Sequence, residues 1–397
     1  MQTRKNIKNG DELSILGFGC MRFPMKGTSI DEERSIALIR DAIARGVNYF
    51  DTAYPYHGGK SEPLLGKALE GGYRENVKIA TKLPHYLIGS FDKAQKIFFT
   101  QLEKLRTDYI DYYLIHMLSD MSAFERLVDL GIMSWLEEKK QEGVIKNLGF
   151  SFHGEKTDFE KIIKAYPWDF CQIQYNYLDE NNQATKSGLE LAHELGMPVI
   201  IMEPLRGGKL VNSLPSEVLE AFASSNAAKT PAEWSLRWIW NHPEVTVILS
   251  GMSDEAQLDE NITIAEDALA NALSAETLAI YDKVKHIMHE KTKVPCTACG
   301  YCMPCPVGVD IPGCFSVYND KYLLDGKGIK MKYIQTMGMT SKNPGFASKC
   351  IECGKCEEHC PQHIAIRKEL KQVKKELEGP LFKPFITVLR KILRVKS

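Results

Sequence analysis

Several features that mark specialised classes of protein are missing from this 397-residue chain. No stretch approaches the roughly 18 consecutive apolar residues that a membrane span needs, and the opening MQTRKNIKNGDEL lacks the apolar core of a secretory signal. The formal net charge is −1, which gives no reason to expect nucleic acid as a partner. We therefore expect a globular cytoplasmic protein that does not bind nucleic acid.

Cysteine is scarce over most of the chain and concentrated near its end. Only Cys20 and Cys171 precede residue 296, whereas eight of the eleven cysteines lie in CTACGYCMPCP (296–306) and CIECGKCEEHCP (350–361). Disulfide-rich secreted proteins are small domains, but here the cysteines stand at metal-ligand spacing in a long chain. The pattern indicates reduced thiols that bind metal.

Short β-type runs alternate with amphipathic helical segments as far as about residue 285. The runs are ILGFGCM, NYFDTA, VKIATKL, DYYLIH, IKNLGFSF, FCQIQYN, PVIIMEP and VTVILSG. Eight such alternations over about 280 residues predict an α/β fold, the (β/α)8 TIM barrel. A doubly wound open sheet is the alternative, although no G-x-G-x-x-G follows the first run, so a Rossmann-type site is not supported.

The composition changes near residue 286, and we expect three regions. Residues 1–285 form the barrel, and residues 286–365 are rich in Cys, Pro and Gly. The second region has too few bulky apolar residues for an independent core, so metal is expected to hold it together. Residues 366–397 form a basic tail.

The tail has a distinct charge and pattern. Between Arg367 and Ser397 there are ten Lys or Arg against three Glu, which leaves a net charge of about −8 for the residues before Arg367. Its apolar residues share one helical face: Phe382, Phe385, Ile386, Leu389 and Leu393. A basic amphipathic helix of this kind can make a peripheral contact with an anionic membrane or dock on the barrel or on a second subunit, and we favour docking.

Polar and ionisable residues stand at the ends of three predicted strands. These are Asp51, Lys82 and His116, with Tyr56 a few residues after the first. The carboxyl ends of barrel strands form one rim, so the four side chains are expected to converge although they are far apart in sequence. A single histidine at a strand end is more often structural than catalytic, and it is the set that indicates a site.

The stretch DTAYPY, with TK and then IH downstream on eight alternating strands, resembles the aldo-keto reductase family over roughly residues 1–285. The opening KNIKNGDELSILGFGCMR is also similar to the first hairpin and strand of that family. The resemblance implies that Asp51, Tyr56, Lys82 and His116 are the catalytic tetrad of an NAD(P)H-dependent enzyme. Its substrate would be a small carbonyl compound or the corresponding alcohol.

The chemistry of carbonyl reduction asks for these residue types. Hydride addition leaves negative charge on the carbonyl oxygen, so a proton donor must lie within hydrogen-bond reach. A phenol is a weak acid, and a nearby ammonium is expected to lower its pKa. Lys82 would be that cation for Tyr56, Asp51 would keep Lys82 charged and oriented, and His116 would bind the substrate oxygen.

The same resemblance implies contacts with the nicotinamide ring. Ser151 and Gln172 match the residues that hydrogen-bond the carboxamide in the family. Met202 stands where an aromatic side chain normally stacks on the ring, and it is a softer platform.

The residues expected to contact the rest of the nucleotide match the family pattern less closely. Asn261 is retained for the adenine, but Gln257 stands where an arginine is common, so the choice between NADP and NAD stays open and a flavin is conceivable. Arg206 and Gly207 are candidates for the pyrophosphate, with a simple tight turn as the alternative.

The cysteine spacing separates two kinds of metal site. Zinc sites generally pair two C-x-x-C units, whereas C-x-x-C-x-x-C followed by Cys-Pro is the pattern of bacterial ferredoxins. The second run has three residues before its Cys-Pro and the first has two, a departure of one residue. The ferredoxin resemblance implies two [4Fe–4S] clusters, the first held by Cys296, Cys299, Cys302 and Cys360, and the second by Cys350, Cys353, Cys356 and Cys305.

Two cofactor types in one chain leave three functions open. Nicotinamide transfers two electrons as hydride and each cluster transfers one, so a flavin normally mediates between them. The clusters could connect the reductase to a ferredoxin-like redox partner, or they could be structural or redox-sensing in an ordinary carbonyl reductase. A non-catalytic, redox-responsive binding subunit is the third hypothesis, and the intact tetrad argues against it.

Overall fold

The structure is a computed structural model, and it describes residues 1–154, 156–212, 214–225, 229–323, 328–337, 343–380, 382 and 384–387. The chain divides into two compact units. The first consists of Met1–Leu205 and Ala232–Ser274, and the second of Arg206–Pro231 and Ala275–Ser397. A segment that directly follows the seventh barrel strand in sequence therefore belongs to the second unit.

The strands lie in the first unit. In chain order they are β1 (Thr3–Lys5), β2 (Glu12–Ser14), β3 (Leu16–Gly19), β4 (Met25–Lys26), β5 (Ser29–Ile30), β6 (Tyr49–Asp51), β7 (Lys78–Leu83), β8 (Ile110–Leu118), β9 (Ile145–Phe152), β10 (Phe170–Gln174), β11 (Val199–Met202) and β12 (Val245–Ser250). β1 pairs with β2, and β4 with β5, as short antiparallel ribbons.

Eight parallel strands close into a barrel in the order β3-β6-β7-β8-β9-β10-β11-β12, with β12 returning to β3. Each predicted run overlaps one of these strands, so the (β/α)8 prediction is confirmed and the open-sheet alternative is wrong. The barrel interior is filled mainly by residues that alternate along the strands, such as Tyr112 and Leu114 on β8 and Val247 and Leu249 on β12. The β1–β2 hairpin contacts this interior, because Asp11 accepts a hydrogen bond of 2.8 Å from the hydroxyl of Tyr112.

The helices of the described residues are α1 (Glu32–Ala44), α2 (Ser61–Ala68), α3 (Phe91–Leu105), α4 (Met121–Asp129), α5 (Ile132–Gln141), α6 (Lys156–Ala165), α7 (Thr185–Glu194), α8 (Lys209–Asn212), α9 (Ser216–Ala223), α10 (Pro231–Trp240), α11 (Glu255–Asp267), α12 (Ala275–Lys291), α13 (Ile311–Leu323), α14 (Ile329–Thr336), α15 (Lys355–Glu358) and α16 (Ile366–Val373). Caps set several of the starts, since Asp31, Ser90 and Asp254 each accept a hydrogen bond from a backbone amide in the first turn. None of the described helices is long and apolar enough to cross a bilayer.

The second unit has an apolar core of its own, which the sequence led us not to expect. Residues of α13, α14 and α16 form it, with Phe315, Tyr333 and Leu370 among the buried side chains. The apolar residues of this region are spread thinly along the chain, but helical packing brings them together. Six cysteines of the two motifs pack against this core.

The first part of the basic tail completes that core. Phe382 and Ile386 are buried in it, and the ring of Phe382 lies 5.0 Å from that of Phe346. Phe385 is 47% exposed, so it is not on the buried face. Leu389 and Leu393 lie outside the described residues. The contact of Phe382 and Ile386 is thus with their own unit, and contact with a membrane or a second subunit stays a prediction.

Candidate active site and cysteine sites

Successive barrel strands position the four predicted catalytic residues. Asp51 is the last residue of β6, while Lys82 and His116 lie near the ends of β7 and β8. Tyr56 begins a short 3₁₀ turn (Tyr56–Gly59) just after β6. The structure therefore brings the four side chains together at the carboxyl end of the barrel.

Lys82 is the centre of the group. Its Nζ donates to Oδ1 of Asp51 at 2.5 Å, to the carbonyl oxygen of Thr52 at 2.9 Å and to the hydroxyl of Tyr56 at 3.3 Å. The side chains of Lys82 and Asp51 are only 1% and 4% exposed. A buried ion pair of this kind keeps its geometry because either charge alone would be costly to bury.

Gln172 on β10 extends the network across the barrel. Its Nε2 donates to Oδ2 of Asp51 at 2.9 Å. Both carboxylate oxygens of Asp51 are therefore engaged, one by Lys82 and one by Gln172, which fixes the carboxylate and, through it, the direction of the lysine.

His116 lies beside the phenol. The rings of Tyr56 and His116 are 6.0 Å apart at an angle of 76°, and the ring of Tyr86 lies 5.9 Å from His116 on another side. Burial, followed by the charge of Lys82 and the neighbouring histidines, lowers the pKa of His116 well below its usual value. The imidazole is therefore neutral at physiological pH and can donate a hydrogen bond from one nitrogen.

The protonation of Tyr56 differs from the expectation. Burial raises its pKa well above 10, and the negative charge of Asp51 adds to that effect. Lys82 contacts the hydroxyl, but it is already paired with Asp51, so its influence on the phenol is largely offset. The phenol is held in its protonated form, the form that can give a proton to an oxyanion.

A kink in β8 sets the direction of His116. The next residue, Met117, has a φ of +61°, and the pairing of β8 with β9 shifts register there. The amide of Met117 donates to Oγ of Ser151 at 2.9 Å, and its carbonyl oxygen lies 3.1 Å from Nε2 of His85. Two side chains therefore hold a backbone conformation that is unfavourable for methionine.

The predicted nicotinamide contacts lie around the same rim. Ser151, Gln172 and Met202 are on β9, β10 and β11 respectively, and Met202 is partly buried against the barrel interior. Ser151 and Gln172 each already make one hydrogen bond within the protein, to Met117 and Asp51.

The predicted contacts with the rest of the nucleotide are placed differently. Asn261 on α11 donates to Oγ of Ser250 at 2.9 Å, so it ties its helix to the end of β12. Arg206 and Gly207 form a 3₁₀ turn (Arg206–Gly208) in which Gly207 has a φ of +65°. The turn belongs to the second unit, and a pyrophosphate site there stays a prediction.

Two residues near this rim escaped the sequence reasoning. Tyr86, next to His116, follows β7 in a short turn, and no motif indicates it. Arg22 packs its aliphatic chain over Gly251, the residue after β12. It directly follows the first strand run, and a search for cations after each strand would have found it.

The cysteines of the second unit line two cavities. Cys296, Cys299, Cys302 and Cys360 line a smaller cavity, and Cys302, Cys305, Cys350, Cys353 and Cys356 line a cavity of about 310 Å³. The Cys-Pro cysteine of each run thus faces the cavity of the other run. Within the described residues, no three His, Cys, Asp or Glu side chains converge closely enough to ligate a single metal ion.

The two cysteine runs repeat one backbone conformation. Ala298 and Glu352, which stand at equivalent positions, have φ values of +59° and +60°, and Gly300 and Gly354 have +82° and +83°. The amide of Ala298 lies 3.4 Å from Sγ of Cys296, and the amide of Glu352 lies 3.4 Å from Sγ of Cys350. This loop directs backbone amides at the sulfurs, which stabilises thiolates that carry negative charge.

Relatives with the same architecture are known. The chain is 29% identical over 305 residues to a probable aldo-keto reductase from Glycine max, which covers 68% of this chain and 84% of that protein. The holo form of an aldo-keto reductase from Bacillus halodurans superimposes with a TM-score of 0.60 at 26% identity, covering 72% of this chain and 96% of that one. An aldo-keto reductase from Klebsiella pneumoniae in complex with NADPH has the same fold, with a TM-score of 0.57, 21% identity and coverage of 72% and 95%.

Family profiles match nearly the whole chain in two parts. A 4Fe-4S dicluster domain matches residues 295–365, which contain all eight motif cysteines. The aldo/keto reductase family matches residues 15–285, which contain the barrel, the buried Lys82–Asp51 pair and the two aromatic residues beside it. The chain is a member of the aldo/keto reductase family that carries a 4Fe-4S dicluster domain.

Proposed function

We propose that the barrel reduces the carbonyl group of a small molecule with NAD(P)H, or oxidises the corresponding alcohol. One observation carries this proposal: Nζ of Lys82 lies 2.5 Å from Asp51 and 3.3 Å from the hydroxyl of Tyr56, with His116 alongside. This arrangement places a protonated phenol, a cation and a neutral imidazole around one point at the strand ends.

Each residue then has a role in the proposed reaction. The nicotinamide, when bound, would supply the hydride. His116 orients the carbonyl oxygen by a hydrogen bond, and Tyr56 gives its proton to that oxygen as negative charge develops there. Lys82 stabilises the phenolate that remains, and Asp51 with Gln172 holds Lys82 in place.

The residues of the rim fit a carboxamide. Ser151 accepts a hydrogen bond from Met117 and keeps its own hydroxyl proton to donate. Gln172 donates to Asp51 and keeps its amide oxygen to accept. A carboxamide presents one acceptor and one NH₂ donor, so Ser151 and Gln172 together match it, and Met202 supplies an apolar surface for the ring.

The nucleotide preference rests on cations near the end of β12. Gln257 is engaged in capping α11, since it donates to Asp254 at 2.8 Å. Arg22, which packs over Gly251, is the nearby cation that could replace the family's usual arginine. We therefore propose that NADPH is accepted as well as NADH.

Steady-state assays test the reductase directly. Aldehyde-dependent oxidation of NADPH and NADH is measured with the purified protein, and the Lys82→Met variant serves as the inactive comparison. We expect the wild-type protein to be active and the variant to lose at least 100-fold in kcat, the scale of general acid catalysis. Equal activity of the two proteins would overturn the proposal.

We infer that the second unit holds two [4Fe–4S] clusters, the first on Cys296, Cys299, Cys302 and Cys360 and the second on Cys305, Cys350, Cys353 and Cys356, and the two cavities support this assignment. When bound, each cluster would accept or release one electron. Cys353 is exposed, and Ile351 beside it is 64% exposed, so the second set lies at the protein surface. That position would allow a ferredoxin-like redox partner to approach, and thiols kept reduced for iron are consistent with the predicted cytoplasmic location.

Anaerobic reconstitution of the clusters tests the proposal that the second unit holds two of them. About eight iron and eight sulfide ions per chain are expected for two clusters. Addition of NADPH or NADH, followed by EPR and visible bleaching, then shows whether electrons pass from barrel to clusters, in which case a flavin should be sought. Clusters that stay oxidised while an aldehyde is reduced would leave them structural or redox-sensing.

A further inference from the structure

An amine in the second unit lies directly against the first cysteine run. Nζ of Lys209, the first residue of α8, donates a hydrogen bond of 2.9 Å to the carbonyl oxygen of Cys296. Arg206, only 7% exposed, lines the same cavity as Lys209, Cys296 and Asp320. Two cationic side chains are therefore gathered beside the predicted ligands of one cluster.

The charge of Lys209 is not neutralised by a carboxylate. Asp320, the acidic residue in this cavity, forms an ion pair of 2.9 Å with Lys332. Within the ranges that the structure describes, no Asp or Glu lies within ion-pair distance of Lys209. Among the groups that stabilise its charge, Cys296 acts most strongly, ahead of Asp320 and Cys299. A partly buried cation next to thiols, without a directly paired carboxylate, has the thiolates of a bound cluster as its nearest counter-charge.

Among the described residues, the second cysteine set has no cation beside it that is placed like Lys209. Its cavity is lined by two cations, Lys355 and Arg367. Lys355 is exposed, so solvent screens it, and Arg367 is paired with Glu357 at 2.7 Å. The two sites thus share a backbone conformation but differ in the charge placed beside them.

The difference in charge beside the two cysteine sets affects how easily each cluster is reduced. A cluster with four thiolates becomes more negative when it accepts an electron, and burial makes that change costly. A neighbouring cation that is partly shielded from water favours the reduced form, because the attraction is stronger at lower dielectric. Lys209 therefore opposes the effect of burial at the first site.

We propose that Lys209 sets the reduction potential of the first cluster, the one held by Cys296, Cys299, Cys302 and Cys360, and makes that partly buried cluster easier to reduce. Lys209 acts on the cluster through its charge and is not a ligand of the iron. The inference rests on the proposed function, since it requires that this cysteine set holds a [4Fe–4S] cluster.

Redox titration of the reconstituted protein, followed by EPR, tests the proposal without any turnover. We compare the wild-type protein with Lys209→Gln, with Lys209→Arg, which keeps the charge, and with Lys355→Gln at the second site. For Lys209→Gln, we expect one of the two midpoint potentials to fall so that reduction is at least tenfold less favourable, which is 59 mV for a one-electron couple. Lys209→Arg should keep most of the wild-type value, and Lys355→Gln should leave that midpoint unchanged.

Iron and sulfide contents separate the possible failures. A wild-type protein that holds no cluster at the first set contradicts the proposed function itself. Full cluster content in Lys209→Gln with both midpoints unchanged overturns the role of Lys209 alone. If Lys209→Gln loses a cluster, Lys209→Met, which removes the charge but keeps an unbranched side chain, is titrated instead, and an unchanged midpoint there also overturns the inference.

Discussion

At the residue scale, the tetrad depends on one phenol whose proton is held by its surroundings. Tyr56 is protonated because burial and Asp51 raise its pKa, and Lys82 lies 3.3 Å from its oxygen, where in the proposed reaction it would stabilise the phenolate. The sequence predicted that these side chains converge, and the structure brings them together, but the direction of the pKa shift of Tyr56 was not predicted. That direction depends first on how deeply the fold buries the phenol and then on its distance from Asp51, which only the folded chain shows.

Removing the hydroxyl of Tyr56 tests its role as proton donor. For Tyr56→Phe we expect kcat to fall 100-fold or more, because a general acid contributes 10²- to 10⁴-fold, while nucleotide affinity changes little. The measurement is steady-state kinetics together with fluorescence titration of NADPH. Tyr54→Phe, two residues away, is the matched control and should keep its activity. A Tyr56→Phe protein with wild-type kcat would assign the proton to another group.

A second residue-scale prediction concerns His153, a buried histidine. Burial, with a smaller contribution from Lys82, lowers its pKa to about 4. The unfolded chain, with a pKa of about 6.5, binds a proton in the range between these values that the folded protein does not, so stability falls as the pH drops below about 6.5. At pH 5.5 the loss from this one group is about 1.4 kcal/mol relative to pH 7.5.

Chemical unfolding at pH 7.5 and 5.5 measures that loss. In the His153→Gln variant, the free energy of unfolding should change less between the two pH values, by about this amount. His286→Gln should behave like the wild-type protein, since the His286 side chain is 74% exposed. If the free energy of unfolding changes equally with pH in the wild type and in His153→Gln, the loss does not come from His153.

At the scale of elements, the strands were predictable because each is a short β-rich run that is buried on both faces in the barrel. The kink after His116 was not, since a positive φ at Met117 leaves no mark in DYYLIHML and depends on Ser151 and His85 from other parts of the chain. The position of Lys209 beside Cys296 was missed for the same reason, because 86 residues separate them.

The repeated cysteine loops lead to an element-scale prediction. Gly354 has a φ of +83°, and a Cβ there would meet only the end of Arg367, at 3.8 Å, so Gly354→Ala introduces backbone strain rather than a clash. We expect a cost of about 1 kcal/mol in the loop and a lower cluster content at the second set. Iron and sulfide analysis after reconstitution measures it.

The matched control is Gly89→Ala, where a Cβ meets nothing and the φ is ordinary. Gly300→Ala, at the equivalent position of the first run with a φ of +82°, should lower the content of the other cluster to a similar degree. Full cluster content in both loop variants would show that the loops tolerate the strain.

At the scale of the whole molecule, the chain is two units with separate cores. The barrel interior is closed by eight strands, and the second unit packs Phe315, Tyr333 and Phe382 around a core that six motif cysteines adjoin. The periodicity of the sequence predicted the barrel, but not that Arg206–Pro231 belongs to the second unit. That segment packs on α12, where the ring of Phe222 lies 6.2 Å from Tyr281, a contact that no pattern indicates.

Cluster removal should therefore affect the two units unequally. Because cysteine thiolates at the edge of the second core would lose their metal, the second unit should unfold at a lower temperature after the iron is removed by an oxidant and a chelator. The barrel does not use these cysteines, so its transition and its aldehyde reduction should be retained. Differential scanning calorimetry of the loaded and iron-free protein measures both transitions, with Tyr56→Phe as a control in which neither should move by more than a few degrees. A single transition that shifts as a whole, with loss of carbonyl reduction, would mean that the barrel depends on the clusters for its stability.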